Sequence, residues 1–142
     1  MALAETDDVP AVSTGDLRFY VDFAGFRGKQ SQTYQEIYLM LYGDQFQYAL
    51  QSEKKVASYE AELILQNTVT QQLSKHKWIT EATVAQDSAD LKALAIYDVW
   101  AGELFPGKYS GQLTVKDMHG PQSGLAKFEL YVPEYRDSGI SA

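Results

Sequence analysis

From Leu17 onward apolar and polar residues alternate with a period of two, the spacing that sorts side chains onto the two faces of a β-strand. In LRFYVDF, Leu17, Phe19, Val21 and Phe23 share one face against Arg18, Tyr20 and Asp22. Gly25 and Gly28 break this run, and the polar Arg27–Ser31 stretch connects it to the next. YQEIYLMLY, Tyr34 to Tyr42, sets Ile37, Leu39 and Leu41 against Tyr38, Met40 and Tyr42, and Gly43-Asp44 ends it. FQYAL (Phe46 to Leu50) is expected as a short strand. In SYEAELIL, Tyr59, Ala61, Leu63 and Leu65 face inward while Glu60 and Glu62 face out.

The second half continues the pattern less evenly. Gln71 to Val84 alternates imperfectly, but its Thr, Val, Ile and Trp content favours a strand. ALAIYDVW, Ala93 to Trp100, supports two readings. Ser88 could cap a helix in which Leu91, Leu94, Ala95 and Asp98 are helically spaced, whereas Ile96, Tyr97, Val99 and Trp100 favour a strand. The strand is adopted because its neighbours are all β. Tyr109, Gly111, Leu113 and Val115 then face one way, and so do Phe128, Leu130 and Val132 beyond the Asp117–Pro121 turn. About seven to eight short strands between turn signals, with no long helix and no repeat, predict an immunoglobulin-like antiparallel β-sandwich over residues 17–135. Residues 1–16, acidic and without periodicity, are expected as a flexible leader, and 136–142 as the start of a linker.

One short stretch sharpens this prediction. In Leu104-Phe105-Pro106-Gly107-Lys108-Tyr109, Pro106 fixes φ and Gly107 supplies a permissive backbone, so the chain turns tightly before a tyrosine that opens the penultimate strand. In immunoglobulin-like sandwiches such a tyrosine buries its ring and returns its hydroxyl to a nearby backbone carbonyl, which satisfies the polar tip on burial. Pro106, Gly107 and Tyr109 are therefore expected to form a tyrosine corner.

The chain resembles the region preceding the signature module in bacterial GWxTD-domain proteins. The residues that carry the likeness are FYVDFAGFR (Phe19–Arg27), QEIYLMLYGDQFQY (Gln35–Tyr48), YEAELILQN (Tyr59–Asn67), Lys77-Trp78, FPGKYSGQLTVKD (Phe105–Asp117) and LYVPEY (Leu130–Tyr135). The Gly-Trp-x-Thr-Asp signature itself is absent from these residues, and the tail RDSGISA stops outside any element, as in a segment ending ahead of it. The resemblance implies an exported protein, periplasmic or extracellular, with an N-terminal β-rich domain and no assigned activity. It lends no catalytic residue. Ala2-Leu3-Ala4 behind Met1 also reads as the small-residue end of a signal-peptide cleavage site, although alanine commonly follows an initiator methionine in any protein.

Charge narrows the partners. Twelve Lys and Arg against 19 Asp and Glu leave a net charge of −7, the wrong sign for neutralising phosphates, so no nucleic acid is expected. No apolar run approaches the ~20 residues that span a bilayer, and no membrane insertion is expected. The chain has no cysteine, hence neither disulfides nor thiolate metal ligands. With only His76 and His119, and no Gly-x-Ser-x-Gly elbow, no nucleophile–base pair is evident; both histidines are expected to be exposed, and no cofactor or metal is expected. Glu60 and Glu62 are spaced like a hydrolytic carboxylate pair but read more simply as a solvated face. The chain is therefore read as a non-enzyme.

The Ile37–Tyr42 strand stands out because both its faces are apolar, whereas a sandwich strand ordinarily turns polar residues outward. Tyr38, Met40 and Tyr42, with Tyr20 beside them, either lie under a loop or the leader or form a docking surface for a second copy or a neighbouring domain. The expected role is an interaction or spacer module. A carbohydrate-binding module stacking sugars on exposed aromatic residues such as Trp78 or Trp100 is the alternative.

Overall fold

The computed structural model describes residues 11–85 and 94–135. It is an antiparallel β-sandwich of ten strands: β1 (Ala11–Val12), β2 (Thr14–Gly15), β3 (Phe19–Arg27), β4 (Thr33–Tyr42), β5 (Ala49–Gln51), β6 (Lys54–Asn67), β7 (Leu73–Ala85), β8 (Ala95–Leu104), β9 (Gly107–Asp117) and β10 (Ser123–Val132). The first sheet runs β1-β3-β4-β8. The second runs β2-β10-β9-β6; β7 lines one edge of β6 for most of its length, while β5 and β9 share the other edge. Among the described residues no helix is long and apolar enough to cross a membrane.

The alternation read from the sequence sets which side chains fill the space between the sheets. Leu17, Phe19, Val21, Ile37, Leu39 and Leu41 from the first layer meet Tyr59, Ala61, Leu63, Leu65, Leu113, Val115 and Leu130 from the second, all at most 2% exposed. Each such large aliphatic side chain contributes about 1.5–3 kcal/mol by leaving water. Phe23 of β3 meets Phe128 of β10 across the layers, their ring centroids 5.0 Å apart. Phe128 sits opposite Gly111 in the β9–β10 ladder, and a Cβ at Gly111 would meet its ring at 2.2 Å. The glycine gives the ring its place on the sheet.

Ala93 to Trp100 resolves toward strand from Ala95 on, where β8 pairs with β4 in full register from Tyr42↔Ala95 to Thr33↔Leu104. Tertiary pairing decided what local spacing left open.

Four expectations are corrected. Ten strands exceed the seven to eight expected, because very short strands carry no periodicity. The leader expected over 1–16 is structured from Ala11: β1 pairs with β3 and β2 with β10, and Gly15, within β2, adopts φ 108°. Residues 1–10 and 136–142 lie outside the described residues. The strand expected at Phe46–Leu50 is instead a 3₁₀ turn at Gly43–Gln45 followed by a strand only at Ala49–Gln51. There the chain dips inward to bury Phe46, which stacks on Tyr59 at 5.8 Å. Finally, β3 continues through Gly25 to Arg27, since a glycine in a paired strand weakens it without breaking the ladder.

Candidate functional site

Two places on this scaffold gather chemistry: the outer face of the first sheet and the seam between the free edges of β7 and β8. On the outer face, register decides the company each residue keeps, because directly paired residues project to the same side. Val12, Tyr20, Met40 and Tyr97 form one row across all four strands; Asp22, Tyr38 and Val99 form the next. Tyr42 stands opposite Ala95, and Phe26 lies against Tyr34 with ring centroids 6.4 Å apart. Tyr20, Tyr38, Met40 and Tyr42 thus share one face. Tyr20 and Met40 are half-buried, Tyr38 and Tyr42 are exposed, and Tyr97 is 78% exposed. A groove of about 490 Å³ runs between Tyr20, Asp22, Tyr38, Met40 and Tyr97.

Acidic groups interrupt the apolar surface. Asp22, Glu36 and Glu103 project from β3, β4 and β8 on the same side. The Tyr38 hydroxyl donates to the Glu36 carboxylate, and this bond above all holds the phenol's pKa above its ordinary value. The outer face of the second sheet is built differently. Glu60 and Glu62 there lie 3.7 and 3.8 Å from Lys77 and Lys75, with Gln112, Thr114 and Lys116 on the adjacent strand.

The seam was not anticipated as a unit. β8 turns Ile96, Asp98 and Trp100 inward, and the Asp98 Oδ2 accepts hydrogen bonds from Tyr59 OH at 2.7 Å, Trp78 Nε1 at 2.9 Å and Thr80 Oγ1 at 2.6 Å. Its Oδ1 accepts the Val99 amide at 2.9 Å. Burial pushes the carboxyl pKa up, but the donors from Thr80, Trp78, Tyr59 and Val99 outweigh it and leave the pKa below the usual carboxylate range. The Tyr59 hydroxyl, buried and bound to that carboxylate, titrates far above an ordinary phenol. The shared parity of Ile96, Asp98 and Trp100 was the sequence signal for this inward aspartate.

His76, expected to be exposed, is half-buried in the same seam, its ring 4.7 Å from that of Trp100 and its Nε2 buried without a hydrogen-bond partner. Burial lowers its pKa. It faces inward because it has the same strand parity as Trp78 and Thr80. His119 donates its backbone amide to Asp117 in the β9–β10 turn. Among the described residues no group of three or more His, Asp or Glu side chains could hold a metal ion.

At the corner, β8 of the first sheet passes to β9 of the second through Phe105-Pro106-Gly107. Gly107 adopts φ 144°, a region that other residues rarely enter. Tyr109 is 7% exposed and donates its hydroxyl to the Phe105 carbonyl at 2.8 Å.

No protein-family model matches the chain, and no curated protein sequence matches it. Among solved structures, a Bordetella pertussis protein whose crystal structure carries the provisional name ApaA superimposes with a TM-score of 0.51. It is 13% identical, and the match covers 86% of this chain and 98% of that one. At this identity the likeness concerns the fold alone.

Proposed function

We propose that this chain is a non-catalytic interaction module of a larger exported bacterial protein, and that it holds a neighbouring protein domain on the outer face of the first sheet. One observation carries the reading. Among the described residues, seven exposed large apolar side chains crowd that face, including Val12, Phe26, Tyr38, Tyr42, Tyr97 and Val99, while on the opposite face Leu73, Ile79 and Tyr131 are exposed beside Lys–Glu pairs. Contiguous aromatic surface of this kind is the composition of protein interfaces. Export and membership of a larger chain rest on the resemblance to the region ahead of the GWxTD module.

Charge selects the partner. Asp22, Glu36 and Glu103 lie among the tyrosines on a chain of net charge −7, so a second copy would set carboxylate against carboxylate. A surface presenting Lys or Arg around an apolar centre satisfies both the carboxylates and, by cation–π contact, the tyrosine rings. Glu60 and Glu62, the carboxylates with hydrolytic spacing, are engaged by Lys77 and Lys75, which favours a role without catalysis.

Selection of a displayed random-peptide library on the purified chain tests this. Enriched sequences should combine Lys or Arg with aromatic or aliphatic residues and lose binding to Tyr38→Ser and Tyr97→Ser. Enrichment of acidic sequences, or binding indifferent to both substitutions, would refute the assignment. Self-association abolished by the same substitutions would give the face to a second copy instead.

A further inference from the structure

We propose a second binding site, for a saccharide, at the end of the sandwich beside the tyrosine corner; its lining shares Glu103 with the docking face. The β3–β4, β6–β7 and β8–β9 turns converge there around a cleft of about 320 Å³, at the small end of the ~300–1,000 Å³ typical of ligand sites. Its apolar wall includes the ring of Phe105, which is 58% exposed although it follows a strand whose inner residues are covered. Leu73, 57% exposed, contributes from the second sheet.

Part of the polar wall is unengaged, although Asn67 and Thr70 are tied into the β6–β7 turn. The side chains of Gln32, Gln72 and Ser74 line the cleft and hydrogen-bond to no other described residue, and the Glu103 carboxylate beside them makes only a long contact of 3.4 Å with the Lys29 amide. Amides and hydroxyls both donate and accept, as sugar hydroxyls do, and a planar amide or carboxylate can engage two adjacent hydroxyls at once. Among the described residues no cationic side chain lines the cleft, which disfavours a phosphate or carboxylate ligand. An exposed aromatic ring next to side chains of this kind matches a sugar, with an apolar C–H face and a polar rim.

The walls are set before any ligand arrives. The Asn67 Oδ1 accepts the Val69 and Thr70 amides at 2.9 and 3.0 Å, the Thr68 amide reaches the Lys108 carbonyl at 3.0 Å, and Tyr109 ties its hydroxyl to Phe105. A preorganised turn lowers the ordering cost of binding.

Titration of the ¹⁵N-labelled chain with soluble hexasaccharides of β-1,4-glucose, β-1,4-N-acetylglucosamine and α-1,4-glucose tests the site. At least one should shift the side-chain amide signals of Gln32 and Gln72. Phe105→Ala, which keeps the backbone carbonyl that Tyr109 uses, should weaken that binding about tenfold, whereas Tyr97→Ser should not change it. The proposal is overturned if none of the three binds, if the shifts map to Tyr38 and Tyr97, or if Phe105→Ala has no effect. Because the docking face is probed by different substitutions, either reading can fail while the other stands.

Discussion

The Asp98 carboxylate accepts the Trp78 indole N–H at 2.9 Å, which joins a residue of the first sheet's free edge to one of the second's. A charged group aimed inward on an edge strand also discourages another chain from adding there. With Tyr59 and Thr80 on the same oxygen, this carboxylate satisfies three donors that would otherwise be stranded between the layers.

Asp98→Ala should therefore destabilise the domain by about 2–3 kcal/mol, since a stranded buried donor costs about 1–3 kcal/mol and Asp98 is only half-buried. Urea denaturation followed by tryptophan fluorescence measures it. A midpoint equal to that of the wild type would show that water replaces the carboxylate without loss.

Acid should weaken the fold in two stages. His76 has a lowered pKa in the folded state, so the unfolded chain binds the proton more readily, and stability should decline as pH falls below the ordinary histidine value of about 6.5. Asp98 also has a lowered folded pKa; its contribution is complete above the unfolded value of about 3.9 and is lost as pH falls through the folded one. Thermal unfolding across pH 3 to 8 should show both limbs. His76→Phe should remove the upper limb and Asp98→Asn the lower.

Tyr109→Phe should fold and lose about 1 kcal/mol, the net worth of one hydrogen bond. Gly107→Ala should also lose stability, because alanine must enter the φ 144° region. Equilibrium unfolding of both variants compares the corner's hydroxyl with its backbone.

Substitutions on the outer face should behave differently. Tyr97→Ser, at a side chain 78% exposed, should leave the unfolding midpoint within about 0.5 kcal/mol of wild type. A larger loss would mean that the tyrosine row supports the sheet itself.

The β architecture was legible because residues such as Leu17, Phe19 and Val21, or Leu113 and Val115, repeat at the strand period over long runs. So was the dual character of the Ile37–Tyr42 strand, which the structure places centrally between β3 and β8 with its tyrosines uncovered. Two-residue strands at Ala11 and Thr14 lie below the length at which alternation can be recognised. The Asp98 cluster was obscured for another reason. Its donors come from β6 and β7, 39, 20 and 18 residues away along the chain, and no local pattern encodes such a meeting.

The entry segment stitches the layers, one pair of residues hydrogen-bonded to β3 and the next to β10. Tension applied at Ala11 would load both sheets through a short staple before it reached the packed interior. Trimming the protein back to Leu17 would then spare the aliphatic filling yet bare two backbone edges on the same flank, so the shortened form should be compact but prone to pairing with its own kind.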